Sequence, residues 1–226
     1  MAQRFILNGT SYHGAGAIQE IATEVKSRGF KKAFVCSDPD LVKFGVTAKV
    51  LKVLDDNGFS YELYSNIKPN PTIENVQTGV EAFKNAGTDY LIAIGGGSSM
   101  DVAKATGVLA TYGGEINDYE GLYKVPGPIV PMIAIPTTAG TGSEVTASAV
   151  ITDEAKNFKM SVISYEILPK YAVLDPELIM TAPASIAASC GVDALIHAME
   201  AYVSNFASPF SDAMAEKAME LIGGNI

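Results

Sequence analysis

The chain has 226 residues, 48% of them hydrophobic and 18% charged, enough apolar material to bury a sizeable core and too much for a disordered chain. Its 25 acidic residues outnumber 16 Lys and Arg, for a net charge of −9, and no basic run stands out. That excludes a nucleic-acid partner, whose phosphates need clustered cations. Cys36 and Cys190 are far apart and form neither a CxxC pair nor a disulfide framework, so both read as reduced core thiols. Residues 1–9 contain no apolar stretch suited to a signal peptide. No apolar run reaches membrane-spanning length; the best, residues 129–135, is short and carries Pro131. The expectation is a soluble cytoplasmic protein with no membrane partner.

In chain order, residues 5–7 (FIL) are a short strand candidate. Residues 17–28 space Ile18, Ile21, Ala22 and Val25 as one helix face and end at Gly29. A strand is predicted over 32–36, one helix over 41–56, a strand over 61–64 and a helix over 72–85. Residues 90–94 (YLIAI) form a continuous apolar run, as a central parallel strand covered on both faces requires. A helix over 100–110 and a strand over 131–135 follow. Residues 148–152 and 159–164 are strand-like pieces around a polar turn, and 171–174 return to the sheet. After Thr181 the composition becomes Ala-rich, with helices predicted over 184–203 and 208–222. Alternating strands and helices predict an α/β fold, a parallel sheet with right-handed crossovers, followed by the start of an all-helical domain. The boundary falls near residue 180, giving segments 1–180 and 181–226.

The strand over 90–94 runs into Gly95-Gly96-Gly97-Ser98-Ser99-Met100-Asp101. Glycines there allow a tight turn and close backbone approach to a ligand, and the N-terminus of the next helix suits an anionic diphosphate. Ser98 and Asp101 have capping-box spacing. A tight βα turn without ligand is the plainer alternative, and this is not the GxGxxG fingerprint. Asp38 closes the strand over 32–36; an acidic side chain there accepts hydrogen bonds from a ribose diol and repels a 2′-phosphate. Asp38-Pro39 is equally an ordinary turn pair.

The strand over 131–135 leads into Pro136-Thr137-Thr138-Ala139-Gly140-Thr141-Gly142-Ser143, a loop of hydroxyls and small residues fit to bind phosphate and ribose oxygens, or a plain loop with Ser143 as an N-cap. Asp193 and His197, four residues apart in a predicted helix, share one face and can reach one divalent ion. The same spacing suits a simple Asp–His hydrogen bond, and two donors are fewer than a catalytic metal site uses. His13, the other histidine, reads as a surface residue in a turn.

Together, GGGSSMDVAK at 95–104, PTTAGTGSEVT at 136–146 and GVDALIHAMEAYVS at 191–204 resemble the iron-containing (group III) alcohol dehydrogenase family. Asp38 and Asn70-Pro71-Thr72 also sit where that family has them. The resemblance implies a dinucleotide-binding α/β domain, a helical domain and an active site between them. It implies NAD as cofactor, with Asp38 on the adenine ribose and Gly96, Gly97 and Ser98 on the diphosphate. Asn70, Thr137, Thr138, Thr141 and Lys159 would line the rest of the channel. Asp193 and His197 would be two ligands of Fe(2+). The family takes two further histidines from later helices, which do not occur before Ile226. The resemblance therefore implies a fragment or a truncated product, with metal site and activity incomplete. The reaction implied interconverts a small alcohol or diol and its aldehyde or ketone, with no general acid or base assigned; a homo-oligomer is compatible. The alternatives are an NAD-binding fragment without catalysis, a zinc-type glycerol dehydrogenase, whose glycine loop has lysine where Ser98 stands, and a dehydroquinate synthase-like enzyme, whose site would be richer in Lys and Arg.

Overall fold

The computed structural model describes residues 5–225; residues 1–4, where the opening segment begins, and residue 226 lie outside the described residues. The chain order is β1 (Thr10–His13), α1 (Glu20–Arg28), β2 (Lys32–Ser37), α2 (Pro39–Lys43), α3 (Val46–Asp56), β3 (Ser60–Tyr64), α4 (Ile73–Ala86), β4 (Tyr90–Gly95), α5 (Gly97–Tyr112), β5 (Gly121–Leu122) and β6 (Met132–Pro136). There follow β7 (Ser148–Asp153), β8 (Phe158–Ile163), β9 (Tyr171–Leu174), α6 (Pro176–Ile179), α7 (Ala184–Val203) and α8 (Pro209–Gly223). The expected class, a parallel α/β sheet followed by helices, is the one observed.

The main sheet has the order β1-β9-β6-β4-β2-β3, and every pairing in it is parallel. All six residues of β4 are buried, because helices cover both its faces. Ile92 and Ile94 pack with Ile21, Val25, Val50 and Leu54 on the α1/α3 side. Leu91 and Ala93 face the other way, with Phe34, Met100 and Ala103. Each large aliphatic side chain so buried stabilises the fold by about 1.5–3 kcal/mol relative to exposure. A second sheet, β5-β8-β7, pairs β7 and β8 antiparallel and packs Ile151, Met160 and Val162 against Val76, Val80 and Val108.

After β2 the chain moves to β3, at one edge; after β4 it moves to β6, on the other side. Such a reversal opens a crevice beyond the carboxyl ends of the strands where it occurs. The register levels those ends: Ser37 lies opposite Ile94, and Gly95 opposite Pro136. Asp38, Gly96 and Thr137 therefore leave the sheet side by side.

Four expectations are corrected. Residues 5–7 form no strand, because pairing with β9 starts only at Thr10; Phe5 instead packs its ring 4.7 Å from that of Phe210 on α8. The single helix expected over 41–56 is two, α2 and α3, because the chain turns at Phe44-Gly45, outside helical geometry. Cys36 is buried but Cys190 is only half-buried. Finally, α7 is long and apolar enough to cross a membrane by length and composition. Its polar residues interrupt any continuous run, but alanine-rich surroundings keep the whole helix apolar. Among the described residues of α7 only Ala198 is buried, and Ile186, Val192, Ile196 and Met199 are exposed.

Candidate functional site

The turn after β4 is made by Gly95, at φ 146°, a conformation that L side chains rarely adopt. Gly96 then caps α5, and no side chain bonds the helix's first N–H groups. The helix starts earlier than the spacing of Ser98 and Asp101 suggests, which corrects the expected capping box. Ser98 falls in the first turn, half-buried, and Asp101 points across to the next loop. The helix N-terminus is thus left with unpaired donors and a positive dipole end at the crevice.

Asp38 Oδ1 accepts a hydrogen bond of 2.9 Å from Leu41 N, so Asp38 is the N-cap of α2. It also lines a cleft of about 660 Å³ together with Gly96, Thr137 and Thr138. The cap uses one carboxylate oxygen, so the turn role is compatible with a place in the cleft lining. Leu178, Pro183 and Ile186 close the opposite, apolar wall.

The hydroxyl-rich loop abuts the glycine loop. A Cβ on Gly96 would stand 3.2 Å from Thr138 Oγ1, and one on Gly97 3.5 Å from Thr141 Cγ2. Gly140 seats the loop on α7, where a Cβ would come within 2.6 Å of Cys190 O. Ser143 is not the N-cap of the short 3-10 turn it starts; Gly142 is, with no side-chain bond. A second cleft, of about 670 Å³, is lined by Gly97, Asp101, Thr141, Ser143, Thr146 and His197, among others.

Lys104, fully buried on α5, sends its Nζ into this loop, with Ser143 O at 2.8 Å and Thr146 O at 2.9 Å. Ser143 Oγ in turn lies 3.3 Å from Asp101 Oδ1. Burial pulls the Lys104 ammonium down to about 8, against the attraction of Asp101 and Glu144. Burial likewise pushes the Asp101 carboxyl up to about 6, while Lys104 and the hydrogen bonds oppose it.

Asn70 and Lys159 stand together at the surface, joined by a bond of 2.7 Å from Lys159 Nζ to Asn70 Oδ1. Neither lines the two clefts described. Asp193 and His197 share a face of α7, with Oδ1 and Nε2 3.8 Å apart and both side chains about half exposed. Among the described residues no three His, Cys, Asp or Glu side chains cluster as a metal site would need. His13 is exposed at the end of β1.

Sequence reasoning gave Asp101 only a capping role and passed over Lys104 and the close packing of Gly140. A lysine inside an apolar helix was the available signal for Lys104; the approach of Gly140 to Cys190 left none.

The family model described as "Iron-containing alcohol dehydrogenase" matches residues 8–176, and that described as "Fe-containing alcohol dehydrogenase family, C-terminal" matches residues 187–226. The chain is 45% identical to the NAD-dependent methanol dehydrogenase of Bacillus methanolicus, over 96% of this chain and 57% of that protein. It is 43% identical to the lactaldehyde reductase of Escherichia coli K12, over 99% of this chain and 59% of that protein. A crystal structure of 1,3-propanediol oxidoreductase superposes with a TM-score of 0.97 at 35% identity, covering 100% of this chain and 59% of the other. The chain thus spans a little over half the length of these relatives.

Proposed function

Since the chain belongs to the iron-containing alcohol dehydrogenase family, we propose that it carries the dinucleotide site and two metal ligands of an NAD-dependent oxidoreductase acting on a small alcohol or diol and its aldehyde or ketone. The observation that carries this reading is the convergence of Asp38, Gly96, Thr137 and Thr138 on one cleft at the reversal point of the sheet. The residues fit the cofactor. Bare first-turn N–H groups of α5 suit a diphosphate, and Gly96, with no side chain, lets the backbone approach it closely. The Asp38 carboxylate suits a ribose diol. Thr137, Thr138 and Thr141 offer hydroxyls along the way, and Asn70 with Lys159 would border the channel's outer rim. The proposed domains are 1–180 and 181–226, a reading supported by the passage from α6 to the long helices α7 and α8.

Iron fits only in part. Asp193 and His197 have suitable donors, but two ligands do not complete a catalytic site. When bound, NAD supplies hydride transfer and a divalent ion supplies polarisation of the substrate oxygen. The chain's own residues bind and orient: Asp38 sets the adenine end, the glycine turn anchors the middle, and the hydroxyl loop borders the cleft that reaches His197. A dinucleotide-binding module without turnover is the second reading, favoured by the two-donor set; NAD binding with no alcohol oxidation supports it.

Titration with NAD and NADP tests the main reading. The native chain should bind NAD more tightly, and Asp38→Ser should shift the NAD-to-NADP affinity ratio towards NADP by about 100-fold, because like charges set side by side cost several kcal/mol. An unchanged ratio would sink the assignment of Asp38. For the metal pair, Asp193→Ala and His197→Ala should each cut bound iron by about tenfold or more, as lost ligands do, with NAD affinity nearly unchanged. Because two donors hold iron only weakly, titration of each protein with Fe(2+) decides this: equal affinity in the variants and the native protein excludes the pair as ligands.

A further inference from the structure

We propose that Lys104 is a positioning residue that holds the 143–148 segment in place, so that dinucleotide binding, and not mononucleotide binding, depends on it. Its side chain is fully buried on α5. Nζ lies 2.8 Å from Ser143 O, 3.1 Å from Ser143 Oγ, 2.9 Å from Thr146 O, 3.2 Å from Thr146 Oγ1 and 2.8 Å from Ser148 O. A buried ammonium is tolerated only when hydrogen bonds replace its water, and here every acceptor comes from one short segment. An ordinary core helix would place leucine or methionine at such a position.

The location gives the arrangement its consequence. Lys104 lies seven residues beyond Gly97, about 10 Å along the helix axis. One rigid helix therefore presents its N-terminus to the cleft of Asp38 and Gly96 and grips, two turns on, the loop that walls the second cleft. Ser143, Thr146 and Ser148, whose oxygens hold Nζ, all line that second cleft, as does Asp101, whose carboxylate is reached by Ser143 Oγ. Asp38, Gly96, Thr137 and Thr138, by contrast, line only the first. A mononucleotide needs the first cleft alone, whereas a dinucleotide spans both. Without the ammonium the 143–148 carbonyls lose their common donor and the second wall loses its shape, while the first keeps its own supports.

The inference rests on the dinucleotide reading above, and its test separates the two. Native chain and Lys104→Met are titrated calorimetrically with NAD and with ADP. The expected result is an NAD affinity lowered by about tenfold or more with ADP affinity within about threefold, the loss typical of one charged hydrogen-bonding group. If Lys104→Met does not fold, as circular dichroism will show, Ser143→Ala/Thr146→Val removes two of the five acceptors, and with them the Ser143 Oγ contact to Asp101, with no substitution in α5, and the same split, smaller in size, is expected. Parallel losses for NAD and ADP, or no loss in a folded variant, overturn the positioning role. Native protein that binds ADP and not NAD also overturns it, while native protein that binds neither overturns the dinucleotide reading itself and this inference with it.

Discussion

Gly95→Ala is expected to destabilise the chain by about 2–5 kcal/mol and to weaken NAD binding by tenfold or more, the sum of backbone strain and a steric clash. At φ 146° the glycine sits where an alanine is strained whatever the space. The space is also missing: the new Cβ would stand 2.5 Å from Ser99 Oγ and 2.9 Å from Ser99 Cβ. Ser99 is buried in the first turn of α5, and its hydroxyl has no hydrogen-bond partner among the described residues. The clash is thus relieved only by moving the helix start, the element proposed to meet the diphosphate. For a chain of this size each kcal/mol lowers the melting temperature by about 2–4 °C, so thermal unfolding reads the effect directly. Adding Ser99→Gly should recover part of the loss and not all of it, because the clash goes and the φ angle stays. Full recovery would show that backbone strain at Gly95 contributes nothing.

Gly140→Ala is expected to loosen the seating of α7 on the α/β part, at a cost of about 1–3 kcal/mol, the usual range for forcing extra volume into a packed contact. The reason differs from that at Gly95, since Gly140 has no positive φ. Its Cβ would lie 2.6 Å from Cys190 O and 3.0 Å from Cys190 Cα. Those are backbone atoms of a helix, so no rotamer change makes room; either the loop or α7 must shift. Asp193 follows Cys190 by less than one turn, and His197 by about two. The shift therefore displaces Asp193 and His197, the proposed metal pair, relative to the hydroxyl loop, while the cleft at Asp38 is bordered on α7 only through Ile186, one turn before Cys190. The melting temperature and the affinity for added Fe(2+) should both fall, with a smaller change in NAD affinity. An alanine variant that melts with the native protein and binds added Fe(2+) as well as it does would contradict the close approach.

Much of the fold was legible because its signals are local. The uninterrupted apolar run of β4 announces a strand covered on both faces, and that is where it lies. The 171–174 strand and the 184–203 helix were placed at their observed bounds. The misses have physical causes of the opposite kind. Residues 5–7 are apolar enough for a strand, but Phe5 finds an aromatic partner on α8, more than 200 residues away in sequence. The break between α2 and α3 hides in a run with helical spacing throughout. Ser98 and Asp101 have capping spacing, yet a helix that begins at Gly97 leaves them inside its first turn and a half.

The sequence by itself determined most of the elements, the glycine turn, the hydroxyl-rich loop and the one-turn spacing of Asp193 and His197, since each is a pattern within a few neighbouring residues. Only the tertiary structure decided that Asp38, Gly96 and Thr137 share a cleft, because that follows from the register of β2, β4 and β6, set by pairing across the sheet. It likewise decided that Lys104 spends its charge on Ser143, Thr146 and Ser148, and that Gly140 meets Cys190 with no room for a methyl group. These contacts join residues some 40 to 50 positions apart, and no periodicity within either segment encodes them.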